Sequence, residues 1–215
     1  FNFYKEMIAF FDYHLKREDY GYYNAEHNSA VKYYTIGEEA WNYANDWPPQ
    51  STTTKLHFGK NNQLTSKSTE SLEWQQYKID FDISTDKFSR WNLILQMQPN
   101  SLKYDQLKES NIQRLVYTSE PFEHDVEITG HPYVHLSFKA NNVDTVIFAY
   151  LMDQDDEKDT LTYVTEGHLR AVHRKETEHE LIKSVHPYRT FKKTDITSLT
   201  PDQEEEMNIY LMPIS

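Results

Sequence analysis

Apolar residues follow a helical spacing at the start of the chain. This stripe consists of Phe3, Met7, Phe10, Phe11 and Leu15. Charged residues lie off the stripe, so the pattern predicts an amphipathic helix that ends near Arg17. Residues 31–35 then form a short extended run. Because the stripe needs something to cover it, we interpret residues 1–45 as the end of a larger domain.

The hydrophobic period changes to two after the pair Pro48-Pro49. Strands are predicted at residues 52–58, 77–83, 115–118, 125–129, 133–140, 145–152, 163–173 and 207–212. In 133–140, apolar and polar residues alternate, which predicts a strand with one buried face and one face exposed to solvent. The run 145–152 is apolar on both faces, so we expect it to lie centrally, covered by another sheet or by a neighbouring domain. Short strands without a helical period between them predict a mostly β, jelly-roll-like sandwich.

A domain boundary is predicted near residues 45 and 46. Trp41, Trp47 and Pro48-Pro49 suggest an aromatic, rigid connector, since a helix cannot continue through two prolines. We therefore assign residues 46–215 to the sandwich. Two long polar stretches, 96–111 and 175–197, are interpreted as loops, and the acidic run 202–206 as a solvated turn.

Composition narrows the classes of partner. The 215 residues carry a formal net charge of −12, which disfavours nucleic acid and anionic membrane surfaces. No apolar run approaches the roughly 20 residues that span a bilayer. The chain has no cysteine, which excludes disulfides and thiolate chemistry and fits a cytoplasmic location, although an exported protein stays open. Its 16 Tyr, 11 Phe and 4 Trp predict an aromatic-rich core.

A series of short motifs runs through the chain. They are FFDYHLK at 10–16, VKYY at 31–34, Gly37, Trp41, Trp47-Pro48, TKLHF at 54–58, LVYTSEPF at 115–122, EITG at 127–130, Asp144-Thr145, LMD at 151–153, EGHLRA at 166–171 and His173-Arg174. In this order they resemble the carboxyl-terminal region of the CocE/NonD family of serine hydrolases, which includes cocaine esterase and X-prolyl dipeptidyl aminopeptidases. The resemblance implies that residues 1–45 end an α/β-hydrolase domain and that 46–215 form its jelly-roll domain. It also implies that the last strand or strands of that jelly roll are missing.

The resemblance implies a function for a parent enzyme. Such enzymes use Ser, Asp and His on the α/β-hydrolase domain to cleave an ester or an X-Pro amide, without a cofactor. This chain contains no Gly-x-Ser-x-Gly elbow, and the family's histidine lies upstream of the first helix. We therefore expect no catalytic residue here and no activity from this chain alone. The expected partners are the α/β-hydrolase domain and a small ester or peptide substrate, and a homo-oligomer stays open.

Substrate-pocket wall residues are predicted by position. Relatives send a loop towards the active site in the interval that holds Phe88, Arg90 and Trp91 here. Packing of Trp91 at the edge of the sandwich is the alternative interpretation.

Four charged residues are predicted to form structural ion pairs. Asp144 and Glu120 lie where a carboxylate could accept backbone N–H groups, and Arg170 and Arg174 could pair with them. Gly130 and Gly167 are predicted to permit a positive φ.

Other candidate sites are weaker. His131 with His135, or His168 with His173, lie close enough in sequence to consider a metal, but their scatter over several predicted strands disfavours one. Asp153, Asp155, Asp156 and Asp159 could attract calcium, although a solvated hairpin tip explains them better. The rival function is a carbohydrate-binding or purely structural jelly roll, which the aromatic content and the acidic charge also fit.

Overall fold

The computed structural model describes residues 3–18, 29–68, 74–82, 90, 114–178 and 186–215. The chain divides into two compact units. One comprises Phe1–Ser51, Ile128–Gly130 and Ser215, and the other comprises Thr52–Glu127 and His131–Ile214.

Strands dominate the regular structure of the described residues. Helix α1 (Phe3–Phe11) continues into a π-helical turn at Asp12–Lys16. The strands are β1 (Val31–Thr35), β2 (Ala40–Ala44), β3 (His57–Phe58), β4 (Gln63–Thr65), β5 (Thr118–Ser119), β6 (Tyr133–Lys139), β7 (Val146–Asp155), β8 (Thr160–Arg170) and β9 (Glu204–Tyr210). Short 3₁₀ turns lie at Lys60–Asn62, Ala171–His173 and Lys193–Asp195. The prediction of a mostly β fold with an amino-terminal helix is confirmed.

The π-helical turn that follows α1 ends where the sequence predicts the helix to end. Arg17 adopts a left-handed conformation with φ 60°, and its N–H donates to the carbonyl of Tyr13 at 3.2 Å, which closes the last turn. None of the helix residues is buried within this chain.

Strands β1 and β2 form an antiparallel hairpin in the first unit. Gly37, with φ +94°, supplies the positive φ that the connecting turn needs. The cross-strand pair Tyr34 and Trp41 brings two rings to 5.2 Å in an edge-to-face contact. Trp41 therefore belongs to a strand, and the interpretation of it as part of a connector is wrong. Trp47-Pro48, which follows the hairpin, is a cis peptide bond.

The core of the second unit lies between two antiparallel strand pairs. Strand β6 pairs with β9, and β7 pairs with β8. The core cluster consists of the buried residues Phe138, Leu169, Ala171, Leu199, Met207 and Ile209. Val134, Leu136 and Ala140 pack against them, while His135 and Lys139 are exposed. The alternation predicted for residues 133–140 is therefore confirmed.

The expectation for strand β7 is only half right. Ile147 and Ala149 pack against the core, but Val146 and Phe148 on the opposite face are 46% and 57% exposed. Within the described residues, β8 is its only strand partner. An apolar sequence on both faces therefore does not make this strand central within the chain.

The two glycines singled out in the sequence have different roles. Gly130 has φ +132°, as predicted. Gly167 does not have a positive φ, and the prediction for it is wrong. A Cβ at Gly167 would instead collide with the carbonyl oxygen of Tyr210, so glycine allows strand β8 to approach the end of β9 closely.

Several predicted strands are shorter or absent. Only His57–Phe58 of 52–58 is paired, and neither 77–82 nor 125–129 forms a strand. Strands β2 and β4 were not predicted, and β4 pairs antiparallel with β3 and parallel with β5. A β-branched, alternating run favours an extended backbone, but the choice of a strand partner is made by tertiary contacts.

The acidic run 202–206 is also corrected. Asp202 lies in a turn, but Glu204 to Glu206 lie in strand β9 rather than in a solvated turn.

Candidate functional site

The predicted pocket-wall residues fall mostly outside the described structure. Phe88 and Trp91 lie among residues that it does not describe. Arg90 is described, with a helical backbone and a partly buried side chain. A wall formed by these three residues stays a prediction.

The base of the β7–β8 hairpin is held by Asp144. Its Oδ2 accepts the Nε–H of Arg170 at 2.6 Å, and its Oδ1 accepts the N–H groups of Thr145 at 2.9 Å and Val172 at 3.4 Å. The N–H of Ala171 donates to the carbonyl of Thr145 at 2.8 Å. One carboxylate thus joins the entry of β7 to the exit of β8.

Arg174 pairs with a residue that the sequence did not indicate. Its guanidinium lies 3.0 Å from Glu205 on strand β9 and donates to the carbonyls of Ala171 at 3.1 Å and Thr197 at 2.5 Å. The side chain is only 11% exposed. The prediction that Arg174 pairs with Asp144 or Glu120 is therefore wrong. Glu120 is exposed, and it makes no ion pair with any described residue.

An apolar surface lies on the hairpin side that faces away from the core. We call it the β7–β8 outer face and define it by Val146, Phe148, His168 and Arg170. Phe148 lies opposite His168, with the two rings stacked at 5.2 Å, and Val146 lies opposite Arg170. Since β7 and β8 are anchored by the core on their other face, the position of this surface is fixed. Exposed apolar side chains next to each other on a sheet make this face a candidate interaction site.

Helix α1 presents a second apolar surface, in the first unit. Phe3 is 62% exposed, Phe10 43%, Phe11 49% and Leu15 76%. In the part of the chain that the structure describes, the apolar stripe that the sequence predicts is therefore largely exposed.

A third feature is a mixed aromatic and charged cluster. We call it the Glu176 cluster and define it by His131, Glu176, His186, Arg189 and Tyr210. Glu176 Oε1 accepts from Arg189 at 2.7 Å and from the Tyr210 hydroxyl at 3.3 Å. The ring of His186 lies 4.3 Å from that of Tyr210 and 4.5 Å from that of His131, measured between centroids.

Burial and neighbouring charges shift the pKa values in this cluster. Burial lowers the pKa of His131 below its ordinary value. Burial also lowers the pKa of His186, and His131 and Arg189 lower it further. Burial raises the pKa of the Tyr210 hydroxyl, and the negative charge of Glu176 adds to this effect. The fold therefore favours the neutral form of both histidines.

The histidine pairs considered from sequence are not the pairs that form. His131 contacts His186 rather than His135, His168 stacks on Phe148, and His173 contacts the ring of Phe191. The described residues contain no group of three or more histidines and carboxylates that could hold a metal ion. Asp155, Asp156 and Asp159 lie at the β7–β8 tip, where Asp155 pairs with Lys158 at 2.7 Å, whereas Asp153 lies within β7 opposite Thr162.

Sequence reasoning missed Glu176, His186, Arg189 and Glu205. The first three lie in a polar stretch that resembles an ordinary loop. One signal was available, since the tripeptide His-Pro-Tyr occurs twice, at 131–133 and 186–188. The repetition alone does not show that the two histidines meet.

A family model described as "X-Pro dipeptidyl-peptidase C-terminal non-catalytic domain" matches residues 24–215. The chain belongs to this family. The resemblance found in the sequence motifs is thereby confirmed. This X-Pro peptidase C-terminal domain is non-catalytic by description, so the chain is a hydrolase-associated domain.

Curated relatives agree with this family. Two proteins named as candidate serine esterases, from Mycobacterium bovis and Mycobacterium tuberculosis, are each 32% identical to the chain over 212 residues. The match covers 98% of this chain but 33% of each relative. The chain thus spans about a third of the length of the curated relatives it matches.

Solved structures share the fold. A CocE/NonD family hydrolase from Staphylococcus aureus matches 98% of this chain and 35% of its own length, with a TM-score of 0.65 and 18% identity. An aminopeptidase from a marine sediment Thaumarchaeota archaeon matches 97% of this chain and 33% of its own length, with a TM-score of 0.64 and 18% identity. At these identities the likeness concerns the fold alone.

No helix among the described residues has the length and apolar character needed to cross a membrane. The cytoplasmic location expected from the composition stays a prediction.

Proposed function

We propose that this chain is the non-catalytic domain of a serine hydrolase and that it covers the substrate pocket of a catalytic α/β-hydrolase domain in the same polypeptide. The parent enzyme cleaves an ester or an X-Pro amide bond. The β7–β8 outer face is the observation that carries the proposal. It exposes Val146 and Phe148 on a sheet whose other side is buried, in a family described as non-catalytic.

The exposed area favours a protein partner. A phenylalanine ring that is 57% exposed leaves apolar surface in water, and its burial contributes about 25 cal/mol per Å². His168 and Arg170 flank the apolar residues with groups that can form hydrogen bonds. An apolar centre with polar groups at its edge is the usual composition of an interface.

The chemistry of the parent reaction comes from residues on the catalytic domain. A serine hydroxyl there attacks the carbonyl carbon of the substrate, and a histidine accepts its proton and returns it to the leaving group. Water then hydrolyses the acyl-enzyme. The sequence of this chain contains no Gly-x-Ser-x-Gly elbow, so it supplies no such nucleophile. Its contribution to the reaction is to shape the pocket and to exclude water from it.

Phe88, Arg90 and Trp91 are the proposed pocket-wall residues. A large ring at the pocket wall discriminates between acyl groups by apolar contact. Removal of such a contact typically changes discrimination by about 1–3 kcal/mol.

The test uses the complete polypeptide and this chain alone. We expect the complete polypeptide to hydrolyse p-nitrophenyl esters or an X-Pro p-nitroanilide, and replacement of its nucleophilic serine by alanine to abolish turnover. This chain alone should not hydrolyse p-nitrophenyl acetate above a denatured control. Turnover by the isolated chain, or activity of the complete polypeptide that survives the serine replacement, would overturn the proposal.

A second experiment tests the pocket wall. Trp91→Ala in the complete polypeptide should change kcat/KM for a series of acyl esters by about 1–3 kcal/mol, with the change depending on acyl length. Trp74→Ala is the matched control, because Trp74 is 53% exposed and contacts Lys139 of strand β6. Equal kinetics of the two variants across all acyl lengths would remove Trp91 from the wall.

A further inference from the structure

The Glu176 cluster joins three parts of the second unit. His131 precedes strand β6, Tyr210 ends strand β9, and Glu176, His186 and Arg189 belong to the chain that follows β8. A short β-bridge joins Thr177 to Tyr188 in this last part. The N–H of Tyr188 donates to the carbonyl of Thr177 at 3.0 Å, and the N–H of Thr177 donates to the carbonyl of Tyr188 at 2.8 Å. The cluster therefore determines how residues 186–189 contact strand β9.

Residues 186–189 contact strand β9 through the side chains of His186 and Arg189. The ring of His186 lies against that of Tyr210, and the Arg189 guanidinium lies 5.3 Å from the Tyr210 ring centroid. Arg189 also donates to the carbonyl of Asn208 at 2.9 Å. The ring of His186 also contacts the ring of His131, and the planes of these two rings form an angle of 87°.

Among the described residues, charged and titratable groups lie in the Glu176 cluster and on strand β6, which pairs with β9. Arg189 supplies a fixed positive charge, and its side chain is only 10% exposed. Glu176 supplies a negative charge, but Arg189 lies 2.7 Å from it and counters it. Strand β6 contributes Tyr133, whose ring lies 5.6 Å from Tyr210, and His135, whose Nδ1 lies 2.9 Å from Asn208 Oδ1.

Protonation of both histidines would place two imidazolium ions in ring contact, close to a guanidinium. Like charges at this separation repel, and partial burial reduces the screening by water. The neighbouring carboxylate is already engaged by Arg189 and Asn208, so it cannot fully offset the added charge.

We propose that the contact between His131, His186 and Tyr210 is a pH-sensitive latch, which holds residues 186–189 against strand β9 at neutral pH and releases them in mild acid. The latch acts through the two His-Pro-Tyr tripeptides, in which proline favours an extended backbone at each histidine and restricts how its ring can move away. Protonation of the two histidines opens the latch. The bridge between Thr177 and Tyr188 is the contact that is then weakened.

The direction of the effect follows from the equilibrium between protonation and opening. The ordinary pKa of histidine is 6.5, and both histidines have a lower pKa in the folded state. Their contribution to stability is therefore complete well above pH 6.5, where both histidines are neutral in the folded and in the open state. It is lost as the pH falls below 6.5 and through the folded-state pKa values, because the open state binds protons first.

The experiment measures hydrogen exchange of the Tyr188 and Thr177 amides together with the NMR titration of the histidine rings. Between pH 7.5 and pH 5, the exchange protection of both amides, corrected for the intrinsic rate, should decrease. The rings of His131 and His186 should titrate over the same interval as the loss of protection. In the double variant His131→Phe and His186→Phe, which keeps aromatic rings but cannot be protonated, protection should not decrease over this range.

His124→Phe is the matched control, since His124 is exposed and lies in a loop outside the cluster. It should retain the decrease in protection of the native protein. An equal decrease in the double variant would overturn the proposal, because the effect would then come from other groups. If the double variant does not fold, the native protein alone decides, since titration of both rings above pH 6.5 or constant protection down to pH 5 would also overturn it.

Discussion

Strands β6 and β7 contribute to the same core but differ on the side that faces away from it. The outward residues of β6 are Tyr133, His135, Ser137 and Lys139, of which three are polar or charged side chains suited to water. The corresponding positions of β7 include Val146 and Phe148, which are 46% and 57% exposed. Phe138 of β6 is a buried core residue, whereas Ile147 and Ala149 of β7 pack against the core from partly buried positions. These inner contacts do not explain why the outer positions of β7 are apolar. The proposed coverage of β7 by a catalytic domain would account for this difference.

Removal of a core side chain should have the largest effect. Ile209 on β9 is 1% exposed and lies opposite Val134 of β6. We expect Ile209→Ala to lower the free energy of unfolding by about 2–5 kcal/mol, since it removes buried methyl groups and leaves a cavity. Urea denaturation monitored by tryptophan fluorescence measures this. A loss below about 1 kcal/mol would show that β6 and β9 do not form the core of the unit.

The core pattern of β6 could be predicted from sequence, whereas the partners of the charged groups could not. Alternation of Val134, Leu136 and Phe138 with polar residues defines both the strand and its buried face. Arg174 and Glu205 meet only because β8 and β9 are brought together by the fold. The spacing of residues along the sequence gives no sign of such a long-range pair.

Strand β2 illustrates a second limit. Trp41 and Tyr43 alternate with small residues, as in a strand, but Trp47-Pro48 nearby favoured a connector. The pairing of β2 with β1 decides the outcome, and it depends on the turn at Gly37. The exposure of Phe148 is a third case, because an apolar run reads the same whether its second face is buried by this chain or by another domain.

The ion pairs Arg174–Glu205 and Arg170–Asp144 also differ in burial, and their loss should have a smaller effect on stability. Arg174, which reaches strand β9, is 11% exposed and donates to two carbonyls, whereas Arg170 at the base of β7–β8 is 60% exposed. Arg174→Met should cost about 1–3 kcal/mol of unfolding free energy, because carbonyls that lose a donor stay partly buried. Arg170→Met should cost about 0–1 kcal/mol. Equal losses, measured by urea denaturation of both variants, would contradict this distinction.

The smallest effect is expected on the outer face in the chain alone. Phe148→Ser removes an exposed ring, so the free energy of unfolding should change by no more than about 0.5 kcal/mol. Phe138→Ser is the matched control on β6, where the side chain is 8% exposed and a large loss is expected. Thermal unfolding of both variants gives the comparison. A large loss for Phe148→Ser would mean that this chain covers the ring itself.

Hydroxyl-radical footprinting followed by mass spectrometry shows whether the proposed catalytic domain covers the β7–β8 outer face. The oxidation rate of Phe148 is measured in this chain alone and in the complete polypeptide, with the exposed ring of Phe81 as the internal reference, since it is 93% exposed. We expect Phe148 to become strongly protected in the complete polypeptide relative to Phe81. Equal oxidation of Phe148 in the two samples would contradict the account.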